Sequence, residues 1–180
     1  MGAGHPWLDK DGKTLTSPNS FKQVGGEAIW QALIAGTAGG DADGDGKPDP
    51  WKLIQTRNEF QALMTGTTPK RICGVAQVYQ TLQQTRSGDA KAAPFVVPLN
   101  KTVPTLAEMT RGALNVLDNN PKGFFLMIEG GAVDWAGHDN QSGRMIEEEM
   151  DFNQAVEVVI AWVKRNSNWQ ETVMIVTADH

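Results

Sequence analysis

Along this chain the apolar positions alternate between helical spacing and short continuous runs. A short helix is predicted near residues 27–35, within residues 1–50, which are rich in Gly, Asp and Pro. Thr56-x-x-Glu59 has the form of a capping box, which opens a second short helix through Leu63 and Met64. Thr105-x-x-Glu108 is another. From it Leu106, Met109, Ala113, Val116 and Leu117 recur at helical spacing, until Asn119, Asn120 and Pro121 stop the helix. A long helix follows over 144–165, with Phe152, Ala155, Val156, Val159 and Val163 as its inward stripe. Three continuous apolar runs have strand length: 71–76, 124–128 and 173–176. Residues 87–98, with their loop formers and two prolines, read as an exposed connection.

Strand, long helix, strand over 124–176 is a βαβ unit, whose strands are parallel and joined by a right-handed crossover. The predicted class is therefore α/β: part of a mostly parallel sheet flanked by helices. The whole of 1–180 reads as a single, partial domain. Its 1–103 portion is loop-rich and holds an acidic loop at 41–49, and its 104–180 portion holds a helix and the βαβ unit. Parallel strands end on one rim of their sheet, where open α/β proteins place their sites. Glu129 and the pair Asp179–His180 follow the two predicted strands and so share that rim. Asp134 and His138 lie in the connection leaving the first strand, on the same side.

These five residues are ligand types. Carboxylate oxygens and imidazole nitrogens suit Zn²⁺, and a further carboxylate suits Mg²⁺. Asp134 and His138 are four apart, so a helical turn points both the same way. Asp179 and His180 are adjacent and reach one ion only where the strand breaks into a loop. The plainer alternative, a helix-capping aspartate and a solvated histidine, stays open. Asp41, Asp43, Asp45 and Asp49 resemble the first part of a calcium loop, but its twelfth position is Lys52 where an EF-hand has Glu. It is a candidate Ca²⁺ loop or a solvated acidic turn.

Bulk properties narrow the partners. The net charge of −5 and the lack of any Lys/Arg run argue against a nucleic-acid surface. An anionic substrate must then be captured by a local positive site, such as a metal. No apolar run is long enough to span a membrane, and the first residues lack the pattern of a secretory signal. Cys73 has no cysteine partner, and its apolar neighbours make it a structural thiol.

The stretch from Gly123 to His138, Gly-Phe-Phe-Leu-Met-Ile-Glu-Gly-Gly-Ala-Val-Asp-Trp-Ala-Gly-His, with the closing Val-Thr-Ala-Asp-His, resembles the metal-binding half of alkaline phosphatases. Gly-Ala-Gly-His-Pro, Thr-Pro-Lys-Arg-Ile-Cys-Gly-Val and Pro-Thr-Leu-Ala-Glu-Met-Thr extend the likeness across most of the chain. The resemblance implies an incomplete three-layer sandwich with Glu129 on Mg²⁺, Asp134 and His138 on one Zn²⁺, and Asp179 and His180 on a second. It implies phosphate monoester substrates, a periplasmic or secreted protein, and a homodimer as the assembly to test. In that family a metal-activated serine attacks phosphorus. None of Ser17, Ser20, Ser87, Ser142 and Ser167 has that serine's context. The resemblance thus implies an internal piece of such an enzyme, supplying metal ligands but no nucleophile and nearly inactive alone. Trp135 stands where some relatives carry His, while Trp162 and Trp169 read as packing residues. Two rivals remain: a related sulfatase, phosphodiesterase or phosphoglycerate mutase, and a non-catalytic calcium-binding module.

Overall fold

In the computed structural model, which describes residues 1–178, a parallel strand pair lies between helices on both faces. Strand β1 (Lys52–Ile54) pairs with β2 (Ile72–Gly74) in the register Lys52↔Ile72, Leu53↔Cys73, Ile54↔Gly74. A parallel bridge from Gly2 to Val75 adds the first residues of the chain to the same edge. Side chains alternate across a strand, and that alternation builds two cores here. Ile54 and Ala76 join Phe60, Leu63, Val78, Val103 and Met109 on one side, with Ile72 packed against them. Val75 joins Val24, Trp30 and Leu33 on the other, backed by Leu53 and Cys73. Helix α1 (Glu27–Ile34) covers the second face, and α2 (Arg57–Ala62) with α3 (Leu106–Leu117) covers the first. Helix, sheet, helix is the layering expected of an α/β chain. Gly74 is required where it stands: a Cβ there would lie 2.7 Å from the Phe60 ring.

Both capping boxes form. Thr56 and Thr105 accept from the backbone N–H of Glu59 and Glu108, and each glutamate reaches back to the backbone N–H of its threonine. Glu108 also binds Arg57 at 2.9 Å and Gln61 at 2.8 Å, tying α2 to α3. Burial opposes its charge, but these hydrogen bonds outweigh it and hold the carboxyl below the usual carboxylate range. Thr105→Ala should cost about 1 kcal/mol of stability, read as a lower midpoint in urea denaturation. An unchanged midpoint would mean that the Glu108–Arg57 pair alone secures the start of α3.

The remaining elements are α4 (Ala132–His138) and α5 (Ser142–Asn166), which packs against both α3 and α4. Within the predicted α5 stripe Ala155 and Val163 are fully buried, whereas Phe152, Val156 and Val159 are half-buried.

Two strand expectations fail. Among the described residues, 124–128 and 173–176 belong to no ladder and make no backbone–backbone hydrogen bonds. They alternate as strands do: Leu126, Ile128 and Met174 are half-buried, while Phe125 and Val173 are 89% and 85% exposed. A run with strand character becomes a strand only when a neighbour offers a ladder, and neither run finds one here. The βαβ unit expected over 124–176 is therefore not closed. The pair that does form lies in the 1–103 portion, and its β1 was hidden in the sequence by being only three residues long.

Candidate metal centre

The first turn of α4 follows directly on Glu129-Gly130-Gly131, and Gly131 caps it. Gly130 lets that turn press onto α5, since a Cβ there would lie 2.9 Å from the Phe152 ring. Asp134 and His138, one turn apart on α4, meet as the spacing predicts: Asp134 Oδ1 and His138 Nε2 are 3.4 Å apart. Their side chains are 44% and 77% exposed, so solvent reaches both. Glu129 is exposed, and its carboxylate folds back over Gly131.

The pair fits zinc by a simple measure. Zinc bonds to N and O of about 2.0–2.1 Å at tetrahedral angles separate two ligand atoms by roughly 3.4 Å. That equals the observed separation. The donor set, one carboxylate oxygen and one imidazole nitrogen, is also zinc-like. The described residues supply two donors at this spacing and do not bring Glu129 into the same group. Asp179 and His180, the remaining expected ligands, lie outside the described residues.

What holds α4 in place was not legible beforehand. Gln84 Nε2 donates to Asp139 Oδ2 and Gln141 Oε1, both at 3.0 Å, and Lys91 Nζ donates to the carbonyls of Asp139 and Asn140. These contacts grip the turn between α4 and α5, where Asn140 takes a left-handed φ of 53°. The segment that grips is itself anchored to α5. Arg86 Nη2 meets Glu147 Oε2 at 2.7 Å, with side chains only 3% and 5% exposed. Arg144 Nη1 donates to the carbonyls of Gln83 and Gln84. Residues 87–98 are thus largely exposed, as expected, but pinned at Arg86 and at Phe95, whose N–H donates to Glu147 Oε1 at 2.6 Å. The available signal was Arg144 with Glu147 and Glu148, a basic and two acidic residues at helical contact spacing.

In the acidic loop, Asp41, Asp43 and Asp49 bring carboxylate oxygens within 4.8 Å of one another, and Asp45 stands outside that group. Asp41 already accepts from the N–H groups of Gly44, Asp45 and Gly46. The N–H groups of Gly46 and then Gly44 hold its carboxyl below the usual range. The loop is a hydrogen-bonded turn whose carboxylates are shared with its own backbone.

Comparison with known proteins decides the family. The family model described as alkaline phosphatase matches residues 46–180. The chain belongs to the alkaline phosphatase family. It is similar to alkaline phosphatase H of Pseudomonas aeruginosa, 33% identical over 136 residues, which cover 73% of this chain and 27% of that protein. Alkaline phosphatase 4 of Bacillus subtilis is 44% identical over 77 residues, 43% of this chain and 16% of its own length. The alkaline phosphatase of Escherichia coli is 42% identical over 81 residues, 45% of this chain and 17% of its own length. The chain therefore spans only about a sixth to a quarter of these curated relatives. Alkaline phosphatase membership also accounts for the parallel strands between helices, and among the described residues no helix is long and apolar enough to cross a membrane.

Proposed function

We propose that this chain is the metal-ligand portion of an alkaline phosphatase that hydrolyses phosphate monoesters, in the periplasm or outside the cell. Asp134 and His138 hold one zinc, Glu129 supplies a magnesium ligand, and Asp179 with His180 serves a second zinc. The observation that carries this reading is the Asp134–His138 separation of 3.4 Å on one face of α4, in a chain of this family. Bound zinc supplies a positive charge that neutralises phosphoryl oxygens and lowers the pKa of an attacking hydroxyl. The chain's own residues orient it. Helix α4 presents both donors from one rigid turn, and Gln84 and Lys91 fix the end of that turn. No serine of this chain is assigned the nucleophile's role.

The test is isothermal titration of the metal-stripped chain with zinc. Asp134→Ala combined with His138→Ala should weaken zinc binding by at least roughly tenfold, since losing even a supporting partner costs 10- to 100-fold. A second reading, a calcium-binding module, is favoured by the carboxylates of Asp41, Asp43 and Asp49. Under it the α4 double variant binds cations as before, while Asp43→Asn with Asp49→Asn abolishes binding. That pattern would remove the metal role of α4.

A further inference from the structure

The two ends of α4 are secured by different parts of the chain. Its start is pressed onto α5 at Phe152 through Gly130, and the Val133 N–H donates back to the Gly130 carbonyl. Its end closes on a turn. With 7 residues, α4 is too short to hold itself in water, where about 12–15 are needed. The last carbonyls of a helix also lack partners within it. Here the turn supplies them: the N–H groups of Asp139, Asn140 and Gln141 donate to the carbonyls of Trp135, Gly137 and Ala136. His138, the last residue of α4, therefore keeps its place as long as that turn keeps its shape.

Residues about 50 positions away in sequence set that shape. Gln84, 1% exposed, donates from Nε2 to both Asp139 Oδ2 and Gln141 Oε1. Lys91 Nζ donates to the carbonyls of Asp139 and Asn140 at 2.9 and 2.7 Å. Its charge also lies at the negative end of the helix, where cations are favoured. All three turn residues are thus gripped from outside α4 and α5. We infer that Gln84 and Lys91 are positioning residues of the metal centre, which hold His138 at the distance from Asp134 that zinc requires. The inference rests on the zinc reading of that pair and adds what sets its spacing. Without the two side chains the ion must itself order the turn as it binds, and affinity falls by that ordering cost.

The experiment applies two readouts to Gln84→Met, which keeps the side chain's length without its donor, and to Lys91→Met and Lys91→Arg. Lys91 is exposed, so its substitution does not put folding at risk. In zinc titrations each methionine variant should bind roughly tenfold more weakly, as when an outer partner of a metal ligand is lost. Lys91→Arg still offers donors to the helix's last carbonyls and should retain most of the affinity. The second readout is amide hydrogen exchange without metal. Exchange at Asp139, Asn140 and Gln141 should speed up in both methionine variants, while Val133 at the start of α4 keeps its rate. A merely structural role would loosen both ends alike. Affinities within twofold of the original, or equal loosening at the two ends, overturn the inference. If the original chain takes up no zinc, the zinc reading fails and exchange decides alone: a loosened turn supports the hold on His138, and an unchanged one removes it.

Discussion

Arg86→Ala should destabilise the chain by about 3–5 kcal/mol, the cost of leaving a buried partner charge without its counter-ion. Domains are stable by only about 5–15 kcal/mol in total, so this one side chain carries a large share. The reason is the number of groups that depend on it. Its guanidinium meets Glu147 at 2.7 Å, and it also donates to the carbonyls of Gln83, Val97 and Pro98. Truncation leaves the Glu147 carboxylate buried, still accepting from the Phe95 N–H but without its Arg86 partner. Arg86→Lys keeps the charge but loses the planar fork, so it should recover only part of the loss. Arg86→Ala combined with Glu147→Ala should cost less than the two single changes added together, because the second change removes the stranded charge. Urea denaturation followed by tryptophan fluorescence measures the four variants against the original chain. A loss below about 1 kcal/mol, with additive single changes, would place the pair in the class of solvent-exposed ion pairs. The half-exposed Arg57–Glu108 pair, 31% and 16% exposed, serves as an internal reference for that weaker class.

The contrast between Arg86 and Asp134 shows what a sequence reveals about such a site and what it hides. Asp134 and His138 were readable because helical geometry alone brings residues four apart together, whatever the rest of the chain does. Thr56 and Thr105 were readable for the same reason: a capping box is closed within four residues. The α/β class was expected from runs over 124–176 that form no ladder; of the three runs only 71–76 became a strand, and the layering came from the family resemblance. The failures are non-local. Whether 124–128 becomes a strand depends on a neighbour's backbone, and no property of Phe124-Phe-Leu-Met-Ile specifies one. Arg86 and Glu147 are 61 residues apart, and Gln84 and Asp139 are 55 apart, so their pairing is invisible until the segment around Gln83 folds onto α5. The Glu147-Glu148-Glu149 run resembles an exposed acidic face. In the structure its first two members point inward and only Glu149 is exposed.

That inward turn makes stability depend on pH, and Glu148 should dominate the effect near neutrality. Burial, and next the neighbouring Asp151 carboxylate, push the Glu148 carboxyl from 4.5 up to about 7, against the pull of Arg86 and the Gln84 N–H. Its Oε1 is buried without a hydrogen-bond partner, which fits a group poorly suited to carry charge. Between those two values the folded chain keeps a proton that the unfolded chain has released. Stability therefore falls as pH rises through that window and levels off above about 7. The rise in pKa corresponds to about 3 kcal/mol. His5 acts in the opposite sense over part of the same range. Burial, only partly offset by the hydrogen bond to Gln55, holds its imidazole below 6.5, so the unfolded chain takes up a proton there first and stability rises with pH. A single pH profile therefore mixes the two, and the difference between two proteins separates them. Glu148→Gln keeps the shape and removes the titration. Compared with the original chain it should gain little at pH 4.5 and up to about 3 kcal/mol at pH 8, measured from urea midpoints across that range. A difference that stays flat with pH would mean that Glu148 keeps an ordinary carboxylate pKa and is solvated by water between it and the unpartnered Nε and Nη2 of Arg144.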